Sequence, residues 1–428
     1  MRRRYRAMLA LLAALSLVAA ACGDGGGQQG PTDIQAEGDF EGVTITFSTS
    51  LAQEEEAAVQ QLIDEFEADT GATVELAAIT SADLPQRLQV DVGAEKNTIH
   101  LFAQDNLALR ILVDEGLVED LSDVELPDEI LPELIPEEFD GAAYFLPYRP
   151  NVRIAYANIE RLDSAGVDLP TTHEEFRDAA VALKEAGDGS PKVTLSLEFP
   201  SGAAGVTISE WIVSFGGEPL VLNDAGSVAA FEFLQDMWAD DLLARESLQA
   251  KFDTEIDNLT GEVAWLAQNW PFTTGTLSDQ GVLDRFEIYE GWEGPERAAH
   301  VIGGEVLGIP KGVSGKEKDA AIGLAQFLMS QDAQALLAAQ NAWPSVRSDA
   351  YGDVPEDRQS TFDAINAALE SGWYRPNVPY WADVQEAINT AVTRVIVNNA
   401  PAKATLDELH ADIAAAADKA GETYPPEG

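Results

Sequence analysis

The sequence predicts an α/β chain with open, mostly parallel sheets, built as at least two lobes. Three observations point there. Val43-Thr44-Ile45-Thr46-Phe47 alternates apolar and polar residues, a helical period follows, and Thr73-Val74-Glu75-Leu76 alternates again, which makes a strand-helix-strand unit. Further along, helices with clear start signals alternate with short apolar runs, the mark of an α/β protein. Beyond the N-terminal leader and a linker, roughly 390 residues remain, more than one core accommodates.

The elements follow in order. The first helix is expected over Gln53 to Asp69, with Ala58, Val59, Leu62, Ile63 and Phe66 on one face and Gly71 ending it. A second helix is expected over Leu84 to Val92, a third strand over Thr98 to Ala103 and a third helix over Leu107 to Glu115. Thr172 and Glu175 read as a capping box, with Phe176, Ala180 and Leu183 facing inward and Gly187 at the end. Ser314 and Glu317, ahead of Ile322, Ala325 and Leu328, read as another. Thr405 and Glu408, ahead of Leu409 and Ile413, read as a third. Val384, Ile388, Ala391, Val392 and Val395 keep the helical period. Val193 to Leu197, Val263 to Ala267 and Val306 to Ile309 are strand candidates.

The first 22 residues read as an export signal. Arg2, Arg3, Arg4 and Arg6 precede the apolar stretch Ala7 to Ala21, which is too short to span a bilayer as a stable helix. Ala19, Ala20 and Ala21 lead to Cys22, so residues 1–22 look like a lipoprotein signal with a lipobox, with Ala19 where leucine is usual. A plainly cleaved leader with an incidental cysteine is the alternative. Cys22 is the only cysteine, so no internal disulfide is expected, and lipidation would anchor the chain to the outer face of the membrane. Residues 23–41, rich in Gly and Gln at their start, read as a flexible tether. The formal charge of −48 and the nine lysines exclude nucleic-acid or anionic-lipid binding by electrostatics. They are read as a solvated acidic surface, with a cationic ligand as the sharper alternative.

Several segments resemble the extracellular solute-binding proteins of ABC transporters, in the sugar-binding branch that includes maltose-binding protein. They are Phe66-Glu67-Ala68-Asp69-Thr70-Gly71; Leu101-Phe102-Ala103-Gln104-Asp105-Asn106; Asp114 to Leu121; Tyr144-Phe145-Leu146-Pro147-Tyr148 through Asn158; Gly261 to Trp270; Gly303-Gly304 to Pro310; Lys316 to Ser330; Trp343-Pro344; and Tyr380-Trp381. Their order and spacing carry the resemblance across nearly the whole mature chain. It implies a two-lobed periplasmic-binding-protein fold with discontinuous lobes, a hinge, and ligand in the cleft. The implied division is 42–150 and 305–345 for lobe 1, and 151–304 with most of 346–428 for lobe 2. The implied role is a monomeric, lipid-anchored receptor that delivers a sugar or oligosaccharide to the permease subunits of an importer, with no cofactor and no catalysis.

The resemblance places Asp105 as a hydroxyl-binding carboxylate just past a strand end, where helix capping is its alternative role. Phe102 and Asn106 stand where the maltose-binding protein has a tryptophan and an arginine, so the same disaccharide does not follow. Trp270 and Trp381 are stacking candidates, with core packing as the alternative. Tyr148, Arg149 and Asn151 lie in the first crossing between lobes. Arg149 would pin a carboxylate or hydroxyl, or pair with acidic groups of its own lobe. Ser50 offers a hydroxyl or an N-cap. Gly304 permits close backbone approach or makes a turn.

Other classes find little support. His100, His173, His300 and His410 have no metal-ligand spacing. Gly312-Val313-Ser314-Gly315-Lys316 lacks the first glycine of a phosphate loop, Pro310 standing in its place. No nucleophile elbow is present. Two alternatives stay open: the same fold binding a polyamine or other non-sugar solute, and a surface glycoside hydrolase built on two of the many carboxylates.

Overall fold

The computed structural model describes residues 38–51, 55–81, 83–106, 109–352, 354 and 358–425. The leader, Cys22 and the tether up to residue 37 lie outside the described residues.

In chain order the strands are β1 (Thr44–Ser48), β2 (Thr73–Ala77), β3 (Leu101–Asp105), β4 (Phe145–Val152), β5 (Ile154–Asn158), β6 (Leu266–Asn269), β7 (Phe286–Tyr289), β8 (His300–Gly308) and β9 (Gly372–Tyr374). The α-helices are α1 (Glu56–Thr70), α2 (Leu84–Gly93), α3 (Leu109–Asp114), α4 (Ile159–Ala165), α5 (His173–Ala186), α6 (Ala203–Ser214) and α7 (Ala225–Ala239). They continue with α8 (Phe252–Thr260), α9 (Phe272–Asp279), α10 (Gly315–Leu328), α11 (Gln331–Asn341), α12 (Gln359–Glu370), α13 (Trp381–Ala391) and α14 (Ala402–Ala420).

Two open sheets organise these elements. The larger runs β2-β1-β3-β8-β4, with β9 also on β8. Its β1–β2, β1–β3 and β8–β9 pairings are parallel, while β8 runs antiparallel to β3 and β4. The smaller sheet, β6-β5-β7, is antiparallel at both pairings. The fold is two-lobed, each sheet carrying its own helices.

The first unit forms as its pattern dictates. Ile45 and Phe47 point to the core side of β1 and are fully buried. Val59, Leu62, Ile63 and Phe66 of α1 meet them, together with Leu324 and Leu328 of α10. Each such side chain contributes about 1.5–3 kcal/mol on burial. Gly71 ends α1 at φ 74°, its N–H donating to the Glu67 carbonyl. Phe40 fastens the entering chain to this unit: its N–H donates to the Thr70 carbonyl at 2.8 Å, and its ring stacks 6.2 Å from Phe66.

The second lobe is helical at its centre. α6 is buried on every side: α5 packs on its Trp211 through Phe176, α7 and α13 flank it through Phe231 and Val384, and α14 lies against α7 and α13 through Leu406. α13 runs on into a π-helical turn at Val392–Val397, where Gln235 of α7 donates to the Val395 and Ala400 carbonyls. The C-terminal segment docks on the same lobe, Tyr424 Oη donating to the Leu220 carbonyl at 2.9 Å.

Several local expectations are corrected. Val193 to Leu197 is buried but forms no strand, making only bridges from Val193 to Leu243 and Leu266. The strand expected over Val263 to Ala267 begins later, at Leu266, after a turn in which Glu262 takes a positive φ. The expected capping box at Thr172 is half formed. Thr172 accepts from the Glu175 N–H, but the Glu175 carboxylate caps Thr171 instead. Ser314 precedes α10 without a side-chain cap. Thr405 lies inside α14, which starts one residue after Pro401, so the third box is not a start at all. In each case the motif's residue types are present while backbone geometry one to three residues away decides the end.

Candidate functional site

β4 is the strand that carries the chain toward the second sheet. Its pairing with β8 ends at Val152–Ile302, and β5 begins its pairing with β6 at Ile154–Asn269. A bulge between Pro147 and Arg149 breaks the β4 register. That bulge turns Arg149 out of the core and into a cavity of about 460 Å³ between the lobes. The volume lies in the ordinary range of small-molecule sites.

One wall of the cavity comes from the larger-sheet lobe: Glu55 ahead of α1, Arg149 and Asn151 on β4, Asn341 at the end of α11, and Trp343 and Pro344 after it. The facing wall is Pro271 and one side of α9 along its length, with Phe272, Thr276 and Asp279; Arg358 also lines the cavity. Glu55 organises the first wall. Trp343 Nε1 donates to its Oε1 at 2.8 Å, Asn341 Nδ2 donates to its carbonyl at 3.2 Å, and Arg149 Nη1 lies 3.4 Å from the carboxylate. The Arg149 guanidinium sits 4.2 Å above the Trp343 ring. Phe272, 38% exposed, presents its ring from the opposite side.

Chemically the cavity combines flat apolar faces with amides and a fixed guanidinium. Glu55 and Asp279 are set against Arg149 and Arg358, so its walls carry no strong excess of one sign. Among the described residues no group of acidic, His or Cys side chains has the arrangement of a metal site.

A second recess of about 10 Å³ lies behind Arg149 and Pro150. Asn106, Tyr148, Gly304, Glu305 and Tyr374 line it. Asp105 stands opposite Glu305 in the β3–β8 register. Burial pushes the Glu305 carboxyl up; Arg149 opposes the rise, while Asp105 and Glu55 add to it. Burial lowers the pKa of the Arg375 guanidinium, and the Asp105 charge opposes this.

The structure brings only some of the expected residues together. Arg149 and Asn151 line the cavity, while Asn106, Tyr148 and Gly304 reach the recess. Asn106 is structural there, its N–H donating to the Gly304 carbonyl at 3.2 Å and its Nδ2 to the Ile302 carbonyl at 3.4 Å. Gly304 takes φ +102°, and a Cβ there would sit 2.0 Å from the Arg149 carbonyl, so close approach is its role.

Phe102 is a correction. It is fully buried with Leu112, Val118 and Phe145, and its ring fills the space above Gly308. Tyr148 packs edge-on to Phe47 and Trp343 and is core for most of its length. Trp381 opens α13 and is buried in the helical core of the second lobe, so it offers no platform. Trp270 is buried against Val206 and Val301 rather than in the cavity. Ser50 is exposed past the end of β1 and does not line the cavity.

The residues missed include Glu55, Trp343, Phe272 and Asp279, with Asn341 and Arg358 beside them. One signal was available. Trp-Pro occurs at Trp270-Pro271 and again at Trp343-Pro344, and a residue of each pair lines the cavity.

A family profile described as "Bacterial extracellular solute-binding protein" matches residues 61–363. No curated protein sequence matches. Solved structures are similar over almost their whole length. The sugar-binding protein MalE from Xanthomonas citri shares 18% identity at a TM-score of 0.77, covering 90% of this chain and 100% of its own. Maltose-bound MalE3 of T. maritima shares 20% identity at 0.74, covering 87% and 99%. UgpB from Mycobacterium tuberculosis, in complex with glycerophosphocholine, shares 17% identity at 0.72, covering 88% and 98%. At such identities the likeness is one of fold.

Proposed function

The chain belongs to the bacterial extracellular solute-binding proteins, and from that membership we propose that it captures a saccharide in the cleft between its lobes and hands it to an ABC importer. The observation that carries the sugar reading is the lining of the 460 Å³ cavity. A sugar offers hydroxyls at its rim and a weakly apolar ring face. Phe272, Pro271 and Pro344 supply flat apolar area, while Arg149, Glu55, Asn151 and Asn341 supply donors and acceptors around it. Similar structures include proteins in complex with maltose and with a tagatose, which supports the reading without naming this ligand.

A polyamine fits this lining less well. A dication needs an uncompensated negative wall, and here Arg149 and Arg358 offset Glu55 and Asp279. Binding without turnover is part of the proposal, since the cavity's two carboxylates are engaged in holding the wall or sit at its rim. The test is a calorimetric panel of maltose, maltotriose, chitobiose, spermidine and glycerophosphocholine on the mature protein. Binding of at least one saccharide is expected. Binding confined to spermidine or glycerophosphocholine, or hydrolysis of a saccharide, would sink the sugar-receptor reading.

We further propose that lipid on Cys22 holds the receptor at the outer face of the membrane through residues 23–41, close to its permease partners. Among the described residues no helix is long and apolar enough to cross a membrane. Cys22→Ala is expected to move the mature protein from the membrane fraction to the soluble fraction with ligand binding intact. A processed variant that stayed with membranes would refute the anchor.

A further inference from the structure

Arg153 is the one residue between the end of β4 and the start of β5, where the chain passes from one sheet to the other. Its side chain is fully buried, which is rare for a guanidinium unless charges are paired around it. Nη2 donates to the Gln268 carbonyl of β6 at 3.0 Å. Nη1 faces Glu210 of α6 at 3.7 Å, and the other carboxylate oxygen of Glu210 accepts from the Val301 N–H of β8 at 3.0 Å. Val301 belongs to the strand by which the chain returns to the larger sheet. One buried ion pair therefore ties together both passages between the sheets, one helix and one strand of the second lobe.

The neighbours extend this arrangement toward the cleft. The Arg153 guanidinium lies 5.8 Å from the Phe252 ring, and Phe252 meets Trp270 edge-on at 5.4 Å. Trp270 in turn lies over Gly303 of β8, where a Cβ would come within 2.8 Å of its Cη2. Trp270 thus packs one lobe's turn on the other lobe's strand, two residues from the Phe272 ring in the cavity.

The pair is not at its closest geometry. Nε and Nη1 of Arg153 make no hydrogen bond, and 3.7 Å is beyond hydrogen-bond reach. In a low-dielectric interior the energy of such a pair changes steeply with separation. A small rotation of one lobe on the other would lengthen it or draw it into a charge-assisted bond.

We propose that Arg153 and Glu210 are positioning residues that set the resting balance between lobe arrangements. Lobe separation is then biased before any ligand enters, and the competent fraction scales the apparent affinity. Glu255, also near Arg153, is a weaker counter-ion. Burial raises its carboxyl to about 7, against hydrogen bonds from Thr194 and Asn258 and the Arg153 charge, leaving Glu210 as the main partner.

The test needs no ligand, so it stands apart from the sugar reading. Spin labels at Lys96 and Glu185, both exposed and on different lobes, report lobe separation in the unliganded mature chain. Glu210→Gln keeps an acceptor for the Val301 N–H and removes the charge. The expected result is a shifted or broadened distance distribution in a protein whose near-ultraviolet circular dichroism is unchanged. A folded variant with the wild-type distribution would overturn the proposal. Should Glu210→Gln not fold, Arg153→Lys is read in the same way. If neither folds, the proposal also fails, because the pair would then be a requirement of the fold rather than a bias between two folded forms.

Discussion

Gly304→Ala is expected to cost about 3 kcal/mol of folding stability, combining left-handed backbone strain with overpacking. The residue takes φ +102°, and the new methyl would meet the Arg149 carbonyl at 2.0 Å, with the Asn151 nitrogen at 2.9 Å. Both atoms are backbone of β4, so no side chain can swing aside to relieve the clash. The strands must separate, and the β4–β8 pairing that runs from Phe145 to Val152 is the longest in the larger sheet. Chemical denaturation at equilibrium measures the effect. A loss below about 0.5 kcal/mol, within what a surface change costs, would mean that β8 has freedom to move which the close approach denies. Gly303→Ala is the useful contrast, since its new methyl would meet the Trp270 side chain and not backbone.

Arg149→Ala is expected to weaken saccharide binding by roughly 10- to 100-fold, the range for losing a charged hydrogen-bonding group worth ~1.5–3 kcal/mol. Arg149 is held by Glu55 and by the Trp343 face, so its donors are aimed before ligand arrives and little ordering is lost on binding. Its removal has a second consequence: the charge that opposes the rise of the Glu305 carboxyl disappears. Isothermal calorimetry with the best saccharide of the panel reads the affinity. An unchanged dissociation constant would show that the ligand lies on the Phe272 side alone. Tighter binding would show that the guanidinium blocks the Trp343 face and that this face is the true platform.

The fold was legible wherever period and boundary coincide. α1 and its Gly71 stop, and the alternation in β1, are local facts of the sequence, and the structure places them within a few residues. The cleft was legible only as a neighbourhood. Arg149 and Asn151 came from the crossing segment and do line the cavity. Phe102 and Trp381 carry the right chemistry for a sugar face, but an aromatic ring serves a core equally well, and only the direction of the side chain separates the two uses. Along β3 that direction alternates residue by residue, so a strand segment matching a binding segment still leaves open which ring faces the ligand. Glu55 and Trp343 were illegible for another reason. They lie 288 positions apart and acquire meaning from one hydrogen bond and a shared cation, which no local pattern reports. The antiparallel character of the smaller sheet was equally hidden, because short buried runs read alike whichever way their partners run.

The two ends of the described chain are fastened to different lobes: Phe40 to the end of α1, and Tyr424 to the Leu220 carbonyl beside α7. A reporter pair fused at those ends would ride on separate bodies, with no cysteine labelling and no insertion into a loop. Under the proposed ligand capture, the signal of such a pair would report a change in lobe separation.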